Sequence, residues 1–209
     1  MSDRHVVGVD ESGRGPVIGP LVACGVMVSE ENLEVLSEAG VRNSKKLSPE
    51  RRERLANTIR KAAEAYEVVE LGARTIDRLS GDGVNLNRIE AVGFASILKG
   101  LDADEAYIDS AGASPEKFVD ILQGFLNADI DLTVECKADK NYSVVSAASI
   151  LAKVKRDKRV EELGKEYSEI GSGYPSDKRT VRFLRKQMEN RAKLPDFVRK
   201  SWKTVNRLE

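Results

Sequence analysis

His5–Asp10 (His-Val-Val-Gly-Val-Asp) is a β-branched apolar run that closes on an acid, the pattern of a buried strand. Pro20–Val28 reads as a second strand. The link between them carries Gly13, Gly15, Pro16 and Gly19, so it is a loop or wide hairpin rather than a helix. Ser48-Pro49-Glu50 starts a helix, with Ser as N-cap, Pro at the first helical position and an acid in the first turn; it is expected to run to about Tyr66. Glu67–Leu71 predicts a third strand, free to pair in either direction. Asn87-Arg88-Ile89-Glu90 resembles a capping box ahead of the apolar face Ala91, Phe94, Ala95 and Leu98, and Gly100 stops that helix. Ala106–Asp109 is a fourth strand that again ends in an acid. Ser114-Pro115-Glu116 opens a helix with Phe118, Ile121, Leu122 and Phe125 on one face, and Leu132–Cys136 is a fifth strand. From Ser143 to about Leu163 the pattern is helical. Its first half is apolar and small, and therefore buried; its second half is charged and emerges into solvent. The remainder is helical and basic, broken at Pro195.

Strands alternating with helices predict an α/β protein with a largely parallel central sheet covered on both faces. A boundary near Gly171–Pro175 divides the chain into residues 1–170, the main α/β unit, and 171–209, a basic helical C-terminal extension packed on it. The chain has 209 residues, 33% charged and 41% hydrophobic, a composition that suits a globular protein with one sizeable core. The apolar run Pro16–Val28 is interrupted by Gly19, Pro20 and Gly25 and is too short to cross a bilayer. Met1–His5 carries no charged-then-apolar leader, so a cytoplasmic protein without membrane attachment is expected. Cys24 and Cys136 sit in apolar stretches and are expected to be two buried thiols rather than a disulfide; no zinc-ligand spacing exists. His5, the sole histidine, lies outside any Ser or Cys nucleophile motif.

The net charge is zero, with 34 basic and 34 acidic residues, but its distribution matters more than its sum. Residues 178–207 are strongly basic, a second basic segment runs from Arg42 to Lys61, and a third comprises Lys153, Lys155, Arg156, Lys158 and Arg159. Taken singly, each is a solvated helix face. Together they flank a carboxylate-rich middle, an arrangement that suits a polyanion held over metal ions.

Acids recur where strands end: Asp10-Glu11 after the first strand, Asp109 after the fourth, and Asp139 just beyond the fifth. Ligand sites in open α/β sheets lie outside the carboxyl ends of strands. Hard oxygen donors gathered there suit Mg²⁺ or Mn²⁺, and a pair of such ions can drive phosphodiester hydrolysis. For any one Asp a helix cap or solvated loop end is the better reading; for Asp10-Glu11, in an otherwise apolar strand, it is not. One conflict remains. Adjacent strand residues point to opposite faces, so Asp10 and Glu11 can share a site only if the strand ends at Asp10 or Glu11 turns in through a bulge.

Gly13, Gly15 and Gly19 space as G-x-G-x-x-x-G ahead of a strand, which is not the dinucleotide fingerprint, and no Gly-Lys-Ser/Thr closes a P-loop. What remains is a loop whose backbone N–H groups can approach a sugar or phosphate closely. Val9–Pro20 (Val-Asp-Glu-Ser-Gly-Arg-Gly-Pro-Val-Ile-Gly-Pro) resembles the opening signature of ribonuclease HII. So do Asn43-Ser44-Lys45-Lys46-Leu47, Tyr107-Ile108-Asp109, Lys137-Ala138-Asp139, Val145–Val154 and Gly171–Asp177, in order along the whole chain. Val198–Thr204 is similar to the archaeal branch, and the lack of an extra N-terminal domain disfavours ribonuclease HIII. Ser12 stands where alanine is common in the family.

The resemblance implies a ribonuclease H-like fold: a central mixed five-stranded sheet flanked by helices, with a C-terminal helical extension. It implies that Asp10, Glu11, Asp109 and Asp139 are catalytic, metal-binding carboxylates for two Mg²⁺ or Mn²⁺ ions. It implies that Gly13, Arg14 and Gly15 read a ribose 2′-OH, that Tyr174 packs on the neighbouring deoxyribose, and that Lys45, Lys46 and Lys153 contact phosphates. Arg14 steadies either the loop or a phosphate. The implied enzyme is a monomer that cleaves the RNA strand of RNA–DNA hybrids and cuts 5′ to single ribonucleotides in duplex DNA, leaving 3′-OH and 5′-phosphate ends. Such an activity would serve removal of ribonucleotides and primers during replication and repair. A sliding clamp is a partner the resemblance admits, although Val205–Glu209 lacks an aromatic clamp-binding motif. Two rivals stay open at this stage: another nuclease of the same fold, such as a junction resolvase, and a non-catalytic nucleic-acid-binding module using the basic C-terminal segment.

Overall fold

The structure, a computed structural model, describes residues 5–41, 47–101, 104–112, 114–126, 130–189 and 193–208. The phosphate-contact candidates Lys45 and Lys46 lie outside the described residues. Strands β1 (His5–Ser12), β2 (Leu21–Ser29), β3 (Ala65–Leu71), β4 (Glu105–Asp109) and β5 (Asp131–Glu135) form one sheet in the order β3-β2-β1-β4-β5. β1 pairs antiparallel with β2, and β2 with β3, whereas β1–β4 and β4–β5 are parallel. The sheet is therefore mixed, and less parallel than strand–helix alternation suggests. β1 and β2 are joined without a helix, and the two helices between β2 and β3 return the chain antiparallel rather than crossing over to a parallel strand.

Residues on alternate sides of β1 separate the two layers. Val6 joins Cys24, Val26 and Val28 of β2 against helix α6 (Ser143–Glu166), helix α1 (Glu30–Glu38) and helix α2 (Pro49–Ala62). Val7 and Val9 face the other way, onto Phe94 of α4 (Leu86–Gly100) and Phe118 of α5 (Pro115–Gln123), whose rings meet edge to face. Gly8 sits where β1 presses on α6: a Cβ there would stand 2.3 Å from the Val144 carbonyl carbon. Only glycine permits that approach, which fixes the middle of the central strand against the start of α6. As the sequence pattern implied, the first half of α6 (Val144–Ala152) is buried.

A third apolar cluster joins the loop after β1 to the C-terminal segment. Val17 and Ile18 pack with Val160 of α6, with Phe183 and Leu184 of α7 (Lys178–Glu189), with Val198, and with Val205 of α8 (Lys203–Asn206). An isolated antiparallel bridge pairs Ile18 with Val198. No helix among the described residues is long and apolar enough to cross a membrane.

Several local expectations are corrected. Helix α2 stops at Ala62, short of Tyr66, and β3 begins at Ala65. Helices α1 and α3 (Ala73–Gly81) were not anticipated. The cap of α4 is Asn85, whose side chain accepts from the Arg88 N–H, rather than Asn87. Of the two cysteines only Cys24 is buried; Cys136 is exposed, its sulfur 3.6 Å from the Ser110 hydroxyl.

Candidate active site

β1 carries Asp10 and Glu11 at its far end, and the ladder to β2 stays regular through Ser12–Val22. Neither expected escape holds, since the strand neither ends at Asp10 nor bulges at Glu11. The two carboxylates meet all the same. The last β1–β4 pair is Val9–Ile108, so from Asp10 onward β1 has no ladder partner on that side. Across this open edge Asp10 and Glu11 share a side-chain hydrogen bond, and both feel the charge of Asp109, the last residue of β4.

The electrostatics follow from burial and crowding. Asp10 and Asp109 are only 6% and 7% exposed. Burial, followed by the Glu11 charge, pushes the Asp10 carboxyl well above the ordinary carboxylate range, and the Ser149 hydroxyl on α6 pulls it partway back. Burial also raises Glu11, with Asp109 adding to the rise and the Arg14 guanidinium opposing it. Asp109 accepts from the backbone N–H of Lys137, which holds the left-handed turn leading from β5 into a short 3-10 helix, Ala138–Lys140. That turn carries Asp139, which is buried at 6% exposure.

The donor set fits a hard divalent cation. Glu11 Oε2 is buried and lacks a hydrogen-bond partner, an uncompensated oxygen that a cation would satisfy. Asp109 raises the proton affinity of both Asp10 and Glu11, a crowding of negative charge that a bound cation would relieve. Among the described residues no three His, Cys, Asp or Glu side chains are gathered closely enough to form a ready-made ion cage.

The glycine loop lies beside this edge. Gly13 has φ of 99°, a left-handed conformation that a residue with a Cβ rarely adopts, and its Cβ position would stand 2.5 Å from the Pro20 carbonyl. Arg14 turns away from solvent to pair with Glu90 and Asn87 on α4. These contacts tie the glycine loop to α4. Tyr174 stands against Gly15, 3.9 Å from where a Cβ would be, with the Arg156 guanidinium 5.0 Å from its ring centre. Tyr174 and Lys153 line one hollow of about 530 Å³ with Arg156, Ser172 and Arg179. Lys153 is ion-paired to Asp157 at 2.6 Å.

The basic clusters need correction. Arg52, Arg156 and Arg199 were read as solvated or as rim charges, yet they are 8%, 1% and 0% exposed. Arg52 joins α2 to Asp157 of α6, Arg156 donates to the Ser172 carbonyl, and Arg199 donates to three loop carbonyls. Lys155 and Arg159 are engaged by Glu70. Sequence reasoning also missed Glu90 as Arg14's partner. Its only signal was an acid beside the apolar face of α4, absorbed into an N-cap assignment.

Comparison with known proteins agrees with this geometry. The family model described as Ribonuclease HII matches residues 7–205. A ribonuclease HII of Methanothermobacter thermautotrophicus is 45% identical over 205 residues, covering 97% of this chain and 98% of the relative. The crystal structure of ribonuclease H2 from Pyrococcus horikoshii OT3 superposes with a TM-score of 0.91 at 39% identity, covering 98% of this chain and 97% of that one. The ribonuclease HII in the PCNA complex from Archaeoglobus fulgidus superposes with a TM-score of 0.88 at 38% identity, covering 98% and 96%. Fold, full-length sequence and structural neighbours point one way: this chain belongs to the ribonuclease HII family, and its enzyme class is that of a ribonuclease H.

Proposed function

We propose that this protein hydrolyses the RNA strand of RNA–DNA hybrids and cuts 5′ to single ribonucleotides in duplex DNA, leaving 3′-OH and 5′-phosphate ends. The observation that carries this reading is the cluster of Asp10, Glu11 and Asp109, with its unpartnered Glu11 oxygen, beside a loop whose left-handed Gly13 only glycine readily supplies. Asp10, Glu11 and Asp109 would hold Mg²⁺ or Mn²⁺, with Asp139 as a fourth carboxylate. Two such ions would supply charge neutralisation and water activation for an in-line displacement at phosphorus.

The remaining roles belong to the chain itself. The Gly13-Arg14-Gly15 backbone orients a ribose through its 2′-OH, the group that separates RNA from DNA. Tyr174, set against Gly15, stacks on the next deoxyribose. Lys153 exchanges its contact with Asp157 for a phosphate, and Lys45 and Lys46 grip the backbone further along. In this reading residues 1–170 are the catalytic unit and 171–209 an extension packed on it. The pairing of the Archaeoglobus fulgidus relative with PCNA supports a sliding clamp as a partner of this chain too.

The test is a labelled DNA duplex carrying one ribonucleotide, beside the same duplex without it, each incubated with Mg²⁺ or Mn²⁺ and either wild-type protein or Asp109→Asn. Metal-dependent cutting 5′ to the ribonucleotide alone, abolished in the variant, is the expected result. Cutting of longer hybrids but not of the single-ribonucleotide duplex would remove the junction roles of Gly13, Arg14, Gly15 and Tyr174. Cutting of the all-DNA duplex would point instead to a nuclease indifferent to the 2′-OH.

A further inference from the structure

The C-terminal segment grips the glycine loop by its carbonyls. Arg199, with no exposed surface, donates to the carbonyls of Gly13 at 2.6 Å, Arg14 at 3.1 Å and Gly19 at 3.1 Å. Its guanidinium lies 4.7 Å from the Trp202 ring centre, and the Trp202 indole N–H donates to the carbonyl of Gly15 at 3.2 Å. Three successive carbonyls, those of residues 13, 14 and 15, are thus held by residues 199–202. A trans peptide sets each C=O opposite to the following N–H. With these carbonyls pinned toward Arg199 and Trp202, the N–H groups of Arg14 and Gly15 are directed away from them, while Pro16 has none to offer. Successive N–H groups presented on one side make a concavity for an oxygen ligand.

We propose that Arg199 and Trp202 are positioning residues for ribose recognition: they hold the peptide planes of the glycine loop so that two backbone N–H groups face the sugar. This rests on the reading of that loop as the ribose sensor. The two donors act through geometry, not charge. A guanidinium offers its N–H groups in a fixed fork that reaches several carbonyls at once, whereas an ammonium is a point donor.

The test compares wild type with Arg199→Lys, which keeps the charge, and Trp202→Phe, which keeps a ring under Arg199 but loses the donor to Gly15. Affinity is read by fluorescence anisotropy in EDTA, so that binding is seen without cleavage, on a DNA duplex with one ribonucleotide and on its all-DNA counterpart. Melting temperatures are taken alongside. Arg199→Lys is expected to lose about 10-fold, and Trp202→Phe about 3-fold, in preference for the ribonucleotide, each hydrogen bond being worth a few-fold. Affinity for the all-DNA duplex should hold. If both variants keep the wild-type preference, or lose affinity for both duplexes equally, the positioning role is overturned. If wild type itself shows no preference, the failure lies with the ribose-sensor reading instead.

Discussion

The carboxylate of Glu90, with no exposed side-chain surface, receives the guanidinium of Arg14, which is 76 residues earlier in the chain and 23% exposed. The pair ties the glycine loop to α4, on the sheet face opposite α6. Glu90→Ala should therefore cost about 2 kcal/mol, since the largely buried Arg14 guanidinium is left with only Asn87 for its charged-partner hydrogen bond. Glu90→Gln, which keeps an acceptor, should lose less. Urea denaturation checks both, and an alanine variant as stable as wild type would contradict the anchoring role.

Packing of β1 on α6 gives a second prediction. In Gly8→Ala the new methyl group meets the α6 backbone, with Val144 O at 2.4 Å and Val145 N at 2.5 Å. Neither element can yield by rotating a side chain, so a loss of about 3 kcal/mol is expected, at the upper end for overpacking a core. Thermal unfolding with unchanged secondary-structure content would show it; a neutral substitution would mean that β1 and α6 are not locked at this point.

The acidic cluster sets a pH dependence whose sign can be worked out. The Asp10 carboxyl is raised above its ordinary value by burial and by the Glu11 charge, so the folded chain holds that proton more tightly than the unfolded one. Stability is then fullest below the unfolded value of about 4, and it falls as pH rises from there through the raised folded value. In EDTA, Asp10→Asn should melt higher than wild type at neutral and alkaline pH, with the gap closing as pH falls. Mg²⁺ or Mn²⁺ should raise the wild-type melting temperature and do so far less in the variant. A variant that melts lower than wild type in EDTA would refute the strain assigned to this cluster.

Asp177 predicts the opposite slope. One of its oxygens accepts from the Ser172 N–H at 2.8 Å and the other from the Arg179 N–H at 2.9 Å at the start of α7, and these bonds lower its carboxyl well below the usual range. Its stabilisation is present above the unfolded value of about 4 and is lost as pH falls toward the lowered folded value. Asp177→Ala should cost about 1 kcal/mol near neutrality, the worth of a helix cap, and nothing in strong acid. An equal loss at both pH extremes would show that packing, not the ionised cap, is responsible.

Local patterns along the chain were enough to reveal five strands, the helices opened by Ser48-Pro49 and Ser114-Pro115, and the half-buried character of α6, because caps and periodicity act over a few residues. The acids at strand ends were legible for the same reason, since an Asp-Glu pair closing an apolar run stands out without any partner. Pairing direction was decided elsewhere. The antiparallel β1-β2-β3 half of the sheet depends on which strands become neighbours. That Asp109 acts on both Asp10 and Glu11 depends on β4 lying beside β1, a fact about another strand. Charge was the least readable property. Arg52, Arg156 and Arg199 look like solvated basic residues in sequence, and only tertiary contact shows them spending their donors on Asp157, Ser172 and the glycine loop. A side chain's environment is set by residues far away in the chain: the same guanidinium is a surface charge when water satisfies its donors and a structural brace when buried carbonyls do.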